Sequence, residues 1–251
     1  MNVSLYQAAA ALDGNVKWQE MIAENLAAGS TPAFKKSEIA FSTIMAGVLG
    51  GGPGSAFGPR NPTLLPKPSI GTNFNQGSLQ RSGSPSSLAI DGPGFFAVRL
   101  PDGNTYYTRD GEFRVNLLGE IRNKDNYELV AEGGNPIIVN PRNKENISVS
   151  NEGDVSEGGL IRGKLSLFEF PDVTQLVPIG SGYFVPRAGA QPVPATQTNI
   201  AQGHLEASNV ISMVEVSNLL LALRHYEANQ RIIQTNDERM GRAIQELSAT
   251  A

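Results

Sequence analysis

Residues 208–251 read SNVISMVEVSNLLLALRHYEANQRIIQTNDERMGRAIQELSATA. Val216, Leu219, Leu223, Tyr226, Ile233, Met240, Ile244 and Leu247 follow one another at steps of three and four, with Gln230 and Asp237 the only breaks. That spacing is a helical seam. Ser208 or Asn209 offers an N-cap. Residues 210–247 then predict a helix about 57 Å long, at about 1.5 Å per residue. A helix of that length with one apolar seam needs a partner helix.

The partner lies at the other end of the chain. From Ser4 to about Ala28 the residues are helix formers, and Leu5, Ala9, Leu12, Val16, Ala23 and Leu26 alternate steps of four and three. Gln19 is the polar gap, and Ile22 widens the seam. Asp13-Gly14 weakens the middle of this helix, the glycine by about 1 kcal/mol relative to alanine. Gly29-Ser30-Thr31-Pro32 stops it, because proline disfavours helical geometry in the residue before it.

Between the helices the pattern changes twice. Residues 46–70 are crowded with glycine and proline and read as an extended linker. From 71 to 203, short apolar runs are broken by turn signals. Leu88–Ile90, Phe95–Val98, Tyr106–Thr108, Phe113–Val115, Ile137–Val139, Ile147–Val149 and Leu165–Phe168 read as strands. Asp91-Gly92, Asp102-Gly103, Asp110-Gly111 and Gly133-Gly134 read as hairpin punctuation. The expectation is therefore an α+β chain with a central all-β domain of small sheets. Its terminal segments, 1–45 with the N-terminal helix and its turn and 204–251 with the C-terminal helix, pair as a coiled coil and bring both ends together.

Composition narrows the function. Hydrophobic residues make up 40% and charged residues 18%, a globular balance, and the net charge of −4 leaves no basic footprint for nucleic acid. The absence of cysteine removes disulfides, thiolate metal sites and thiol nucleophiles. The first twenty residues have neither the basic nor the apolar region of a cleaved secretory signal. Gly158–Lys164 matches the first seven positions of a P-loop, but Leu165 stands where a hydroxyl must reach magnesium, and an apparent strand follows. His204 and His225 have no metal-ligand pattern around them and read as ordinary polar positions. Asp237-Glu238 and Glu24 read as solvated helix faces, and Phe95-Phe96 and Tyr106-Tyr107 as strand core. No catalytic group, cofactor, metal or small-molecule substrate is implied.

Five segments resemble the flagellar rod and hook proteins. Asn25-Leu26-Ala27 with Ser30-Thr31-Pro32-Ala33-Phe34-Lys35 is similar to that family's Asn-Leu-Ala-Asn-x-Ser-Thr-x-Gly-Phe-Lys signature. Phe74–Leu79 and the run Leu88-Ala89-Ile90-Asp91-Gly92-Pro93-Gly94-Phe95-Phe96 resemble the start of its β domain. Tyr107-Thr108-Arg109-Asp110-Gly111-Glu112-Phe113 resembles its Tyr-Thr-Arg-x-Gly-x-Phe hairpin. Leu205-Glu206-Ala207-Ser208-Asn209-Val210 and Arg224-His225-Tyr226-Glu227 resemble the beginning and middle of its C-terminal helix. The sequence departs from the pattern at Ala28, Ala33 and Ser86-Ser87. A left-handed backbone at Ala33 would be costly, so a local difference in that loop is expected.

The resemblance implies a basal-body rod subunit, either of the proximal end of the distal rod or of the main distal rod. It implies an inner tube built from the terminal helices and export, uncleaved, through the flagellar type III apparatus to a rod crossing the periplasm. The implied partners are copies of itself, neighbouring rod and hook subunits and the surrounding bushing rings. The competing reading is a β-rich periplasmic or surface carbohydrate binder or enzyme on a coiled-coil stalk. That reading needs a conventional export route and a polar pocket in the β domain, and the sequence offers neither a signal peptide nor a catalytic constellation.

Overall fold

The computed structural model describes residues 3–48, 62–101, 103–142 and 146–249. The chain divides into two compact units, one drawn from residues 1–27, 37–71 and 211–251, the other from 28–36 and 72–210.

The first unit contains α1 (Val3–Ala27), β1 (Ser37–Val48), β2 (Pro62–Thr72) and, at the far end of the chain, α2 (Ser212–Ala249). Met21 and Ile22 of α1 and Ala222 of α2 form a buried cluster, ringed by Trp18, Leu26, Ile39 and Leu219. The covered face of α1 repeats at Ala8, Asn15 and Ile22, one position earlier than the expected seam. Ala9, Val16 and Ala23 point outward instead. The reason is apolar area: at those three positions the seam offers two alanines and a valine, whereas the covered face gathers Trp18 and Met21 around Ile22, with Leu26 of the seam packed against them. On α2 the expected stripe divides. Leu219, Tyr226 and Ile233 are half-buried, while Val216, Leu223, Met240 and Ile244 are exposed.

The linker expectation for 46–70 needs correction. Residues 62–70 belong to β2, which pairs with β1 in a two-stranded sheet, and residues 49–61 lie outside the described residues. Pro62, Pro66 and Pro68 share one parity, so their missing N–H groups vacate only one edge of the strand. Ser42 Oγ donates to the Lys67 carbonyl at 3.3 Å and Ser69 Oγ to the Ala40 carbonyl at 3.2 Å. The expected start of the C-terminal helix also moves, because residues 204–206 form a strand and α2 begins only at Ser212.

The second unit is the β domain. Its strands are β3 (Leu79–Arg81), β4 (Leu88–Asp91), β5 (Phe95–Arg99), β6 (Thr105–Thr108), β7 (Phe113–Val115), β8 (Ile121–Asn123) and β9 (Glu128–Leu129). There follow β10 (Ile147–Val149), β11 (Asp154–Glu157), β12 (Leu160–Lys164), β13 (Leu167–Glu169), β14 (Leu176–Gly180) and β15 (Tyr183–Pro186). The last are β16 (Val193–Pro194), β17 (Asn199–Gln202) and β18 (His204–Glu206). The main sheet runs β14-β15-β6-β5-β9-β8-β7 and β13 joins β5, while β10-β11-β12, β4-β17 and β3-β18 form smaller sheets.

Strand β5 explains its own composition. Phe96 and Val98 enter one core with Leu88, Ile90, Phe113 and Ile200; Phe95 and Ala97 enter another with Tyr107, Phe170, Leu176 and Phe184. Alternate residues face opposite sides of a sheet, so a strand covered on both sides reads as the unbroken run Phe-Phe-Ala-Val. Ile137–Val139, expected as a strand, makes only the isolated bridge Glu120↔Ile138, with Pro136 and Pro141 interrupting any ladder. The P-loop-like segment is a β-hairpin, turned by Gly158 and Gly159 between β11 and β12.

Candidate functional site

The family-like segments converge inside the β domain around one carboxylate. Glu206, on β18, is fully enclosed and lies 2.5 Å from Lys35 Nζ and 3.5 Å from Arg109 Nη1. Its Oε1 also accepts the Gly77 N–H at 2.8 Å, and its backbone carbonyl accepts the Ala33 N–H at 2.7 Å. Lys35 Nζ donates to the Asn75 carbonyl at 2.8 Å, and Arg109 Nη2 to the Gly92 carbonyl at 2.7 Å. Arg109 packs against the Phe95 ring, 5.0 Å from its centroid, and its Nε is buried without a hydrogen-bond partner. Burial pushes the Lys35 ammonium below its ordinary value while Glu206 pulls it up and Arg109 pushes it down further. Burial likewise lowers Arg109.

Local chemistry places each member. Ala33 adopts φ 56, so the left-handed turn is kept despite the methyl group, and it presents its N–H to Glu206. The expectation that this loop differs in order to avoid that conformation does not hold. Gly77 has no room for a side chain, since a Cβ would lie 1.9 Å from the Ala207 carbonyl. Arg109 is held by its neighbours: Thr108 Oγ1 donates to Gly182 O and accepts the Asp110 N–H, and Asp110 pairs with Lys124 at 2.6 Å. Asn209 completes the arrangement. It accepts the Lys36 N–H at 2.8 Å and donates to the Asn73 and Asn75 carbonyls at 2.8 and 3.0 Å. Segments 33–36, 73–77 and 205–209 are thereby tied together.

Of the family-motif residues, the cluster gathers Phe34, Gly92, Phe95, Arg109, Glu206 and Asn209. Asp91, Gly94, Phe96 and Gly111 serve the neighbouring turn and core. Ser30 and Thr31 form the turn after α1, where Phe34 N–H reaches the Thr31 carbonyl, and Ser208 Oγ accepts the Val210 N–H. Asn25 acts within the first unit, where its side chain accepts the Ser37 N–H and donates to the Ser37 carbonyl, each at 2.9 Å. His204 Nδ1 faces the Gln202 carbonyl at 2.9 Å, and the His225 ring lies 6.1 Å from that of Trp18.

The second feature is the outer surface of α2. Ile211, Met213, Val214, Val216, Leu220, Leu221 and Leu223 are all exposed, Met213 by 76%, whereas Glu215 is only 3% exposed. Glu215 is the only ionisable residue between 211 and 223. This inverts the usual distribution, in which charge faces water and apolar groups face inward. The sequence reading included Val216 and Leu223 here but missed Ile211, Met213, Val214, Leu220 and Leu221. The signal was a density of apolar residues in 211–223 greater than one helical seam can take up.

Residues 89–157 match the family model "Flagellar hook protein FlgE/F/G D1 domain", and residues 201–246 match "Flagellar basal body rod FlgEFG protein C-terminal". The flagellar basal-body rod protein FlgG of Buchnera aphidicola subsp. Schizaphis graminum is 31% identical, covering 96% of this chain and 98% of the relative. The chain belongs to the flagellar basal-body rod proteins. FlgF of Caulobacter vibrioides is 29% identical over 91% of each chain. FlgG of Bacillus subtilis is 29% identical, covering 94% of this chain and 95% of the relative. As a rod-family member the chain is a structural subunit of the flagellar basal body.

Proposed function

We propose that this rod subunit self-assembles through its terminal helices, which pair as a coiled coil and pack with those of other copies into the axial drive shaft, while the β domain decorates the tube. The observation that carries this reading is the apolar collar at residues 211–223, about 20 Å of helix at about 1.5 Å per residue. A helix face that holds this many exposed apolar side chains is stable when covered, and repeated copies provide that cover. Leu5, Leu12, Val16, Ile22 and Leu26 of α1, with Val216, Leu219, Leu223, Tyr226, Ile233, Met240, Ile244 and Leu247 of α2, contribute to the tube. The subunit is non-enzymatic. It passes uncleaved through the flagellar type III apparatus, stands in the rod across the periplasm, and meets neighbouring rod and hook subunits and the bushing rings.

The test is Leu223→Asp. In the monomer this side chain is 43% exposed and a charge there meets water. In the tube the charge is buried unpaired, at a cost of several kcal/mol in every copy. Expected are a folded, exported protein and no recoverable rods, with Glu227→Gln far milder. Normal rods from Leu223→Asp sink the reading.

A further inference from the structure

Glu206 pairs with two cations from much earlier in the chain, Lys35 by 171 positions and Arg109 by 97. Arg109 packs on Phe95, and Phe95 is part of the second core, where Phe74, Phe170 and Phe184 meet it at ring-centroid distances of 5.8, 5.8 and 6.0 Å. Closing that core therefore buries a guanidinium. Doing so before residue 206 arrives would leave two like charges dry and unmatched, one of the most costly defects a protein interior can hold. The same late stretch of chain also supplies the partners of the β domain's first two strands. Strand β17 pairs with β4, aligning Ile200 with Ile90, and β18 pairs with β3, aligning Glu206 with Leu79.

We infer that Glu206 is a closing latch, which holds back consolidation of the β domain until its last strand delivers the carboxylate. The early hairpin β5–β6 contains Phe96, Ala97 and Tyr107, apolar enough to collapse alone. It also carries the charge of Arg109 beside it, which only the end of the domain can balance. The domain consolidates in one late event rather than hairpin by hairpin, so a partly emerged chain stays open. The latch requires ion matching as well as shape, and that separates it from ordinary packing.

Pulse-labelled amide exchange during refolding of the full chain tests this. In the natural chain, amides of β5, β6 and β18 are expected to gain protection in one phase. Protection of β5 and β6 well before β18 overturns the latch. Glu206→Gln keeps the shape and an acceptor oxygen but removes the charge, and should delay protection of β5 at least tenfold. Adding Lys35→Met removes one of the two unmatched cations and should recover part of the rate. A Glu206→Gln chain that refolds at the natural rate overturns the inference, as does a double variant slower than the single one. If Glu206→Gln fails to fold, Lys35→Met alone, which leaves Arg109 and Glu206 matched one to one, should still refold in a single phase. Separate phases there overturn it too.

Discussion

Asn25 holds both backbone groups of Ser37, accepting from its N–H and donating to its carbonyl, so one side chain stands in for a ladder partner at the start of β1. Asn25 is fully buried. Asn25→Ala leaves both groups of Ser37 without a partner and should destabilise the first unit by about 2 to 4 kcal/mol. Trp18 is the only tryptophan and packs beside Ile22 in that unit, so denaturant unfolding followed by its emission reads the loss directly. Asn25→Asp should cost nearly as much, because the carboxylate keeps the acceptor but faces the Ser37 carbonyl without a proton. A change below about 0.5 kcal/mol for both would mean Ser37 finds other partners.

Ala33 combines a left-handed backbone with nearly complete burial. Ala33→Gly relieves about 1–2 kcal/mol of strain. It also gives up about 0.8 kcal/mol of methyl burial and about 0.5–1 kcal/mol of backbone entropy. The net change in denaturation free energy should stay within about 1 kcal/mol. Ala33→Val should cost about 2 kcal/mol or more, since a β-branched residue is a true outlier at positive φ. Equal stability of the two variants would contradict the turn geometry.

Gly111 faces backbone at close range: a Cβ there would lie 1.5 Å from the Leu88 carbonyl oxygen, and that carbonyl cannot swing away as a side chain can. The Leu88 N–H is meanwhile bound to the Gly111 carbonyl at 3.0 Å. Gly111→Ala should therefore remove the ordered β domain, seen as loss of dispersed amide signals. A well-dispersed spectrum from this variant would show that the two segments part easily.

Glu169 gives the β domain an acid-sensitive loop. Burial pushes its carboxyl up, but hydrogen bonds from Thr198, Gln197 and Thr196 outweigh that and hold it below its ordinary value of 4.5. An acid whose folded value is depressed contributes stability above its unfolded value and loses it as pH falls through the folded one. Amide exchange at Thr196 and Gln197, corrected for intrinsic rates, should accelerate as pH drops below about 4.5. Glu169→Gln should flatten that dependence; a variant that keeps it would place the titration elsewhere.

Strands were legible wherever burial left a local imprint. Phe95–Val98 is continuous because both faces are covered, and Asp91-Gly92 marks a turn in which Gly92 takes φ 126. Strand β1 was overlooked although Ile39 and Phe41 alternate with polar or small neighbours, because the glycine and proline that follow dominated the reading. The phase of α1 was not legible, since alternation of three and four fits adjacent registers and only the partner's shape selects Trp18 and Ile22 over Val16. The cluster around Glu206 was legible in composition but not in geometry. Lys35, Arg109 and Glu206 each sat in a family-like segment, yet nothing local says that residues so far apart share an ion pair.

Asn209 bonds to Lys36, Asn73 and Asn75, so the points where the chain passes into and out of the β domain are gathered at one amide side chain. A domain fastened in this way is a cartridge. Its ends are presented at a fixed spacing set by a few hydrogen bonds, whatever fills the interior. Recombination that preserves this fastening could replace the cartridge with one of different size without changing the register of the flanking segments. Changing the size of the cartridge is then a matter of insertion in a turn clear of the fastening, such as Gly158–Gly159 between β11 and β12, so the domain's bulk can evolve independently of the segments that flank it.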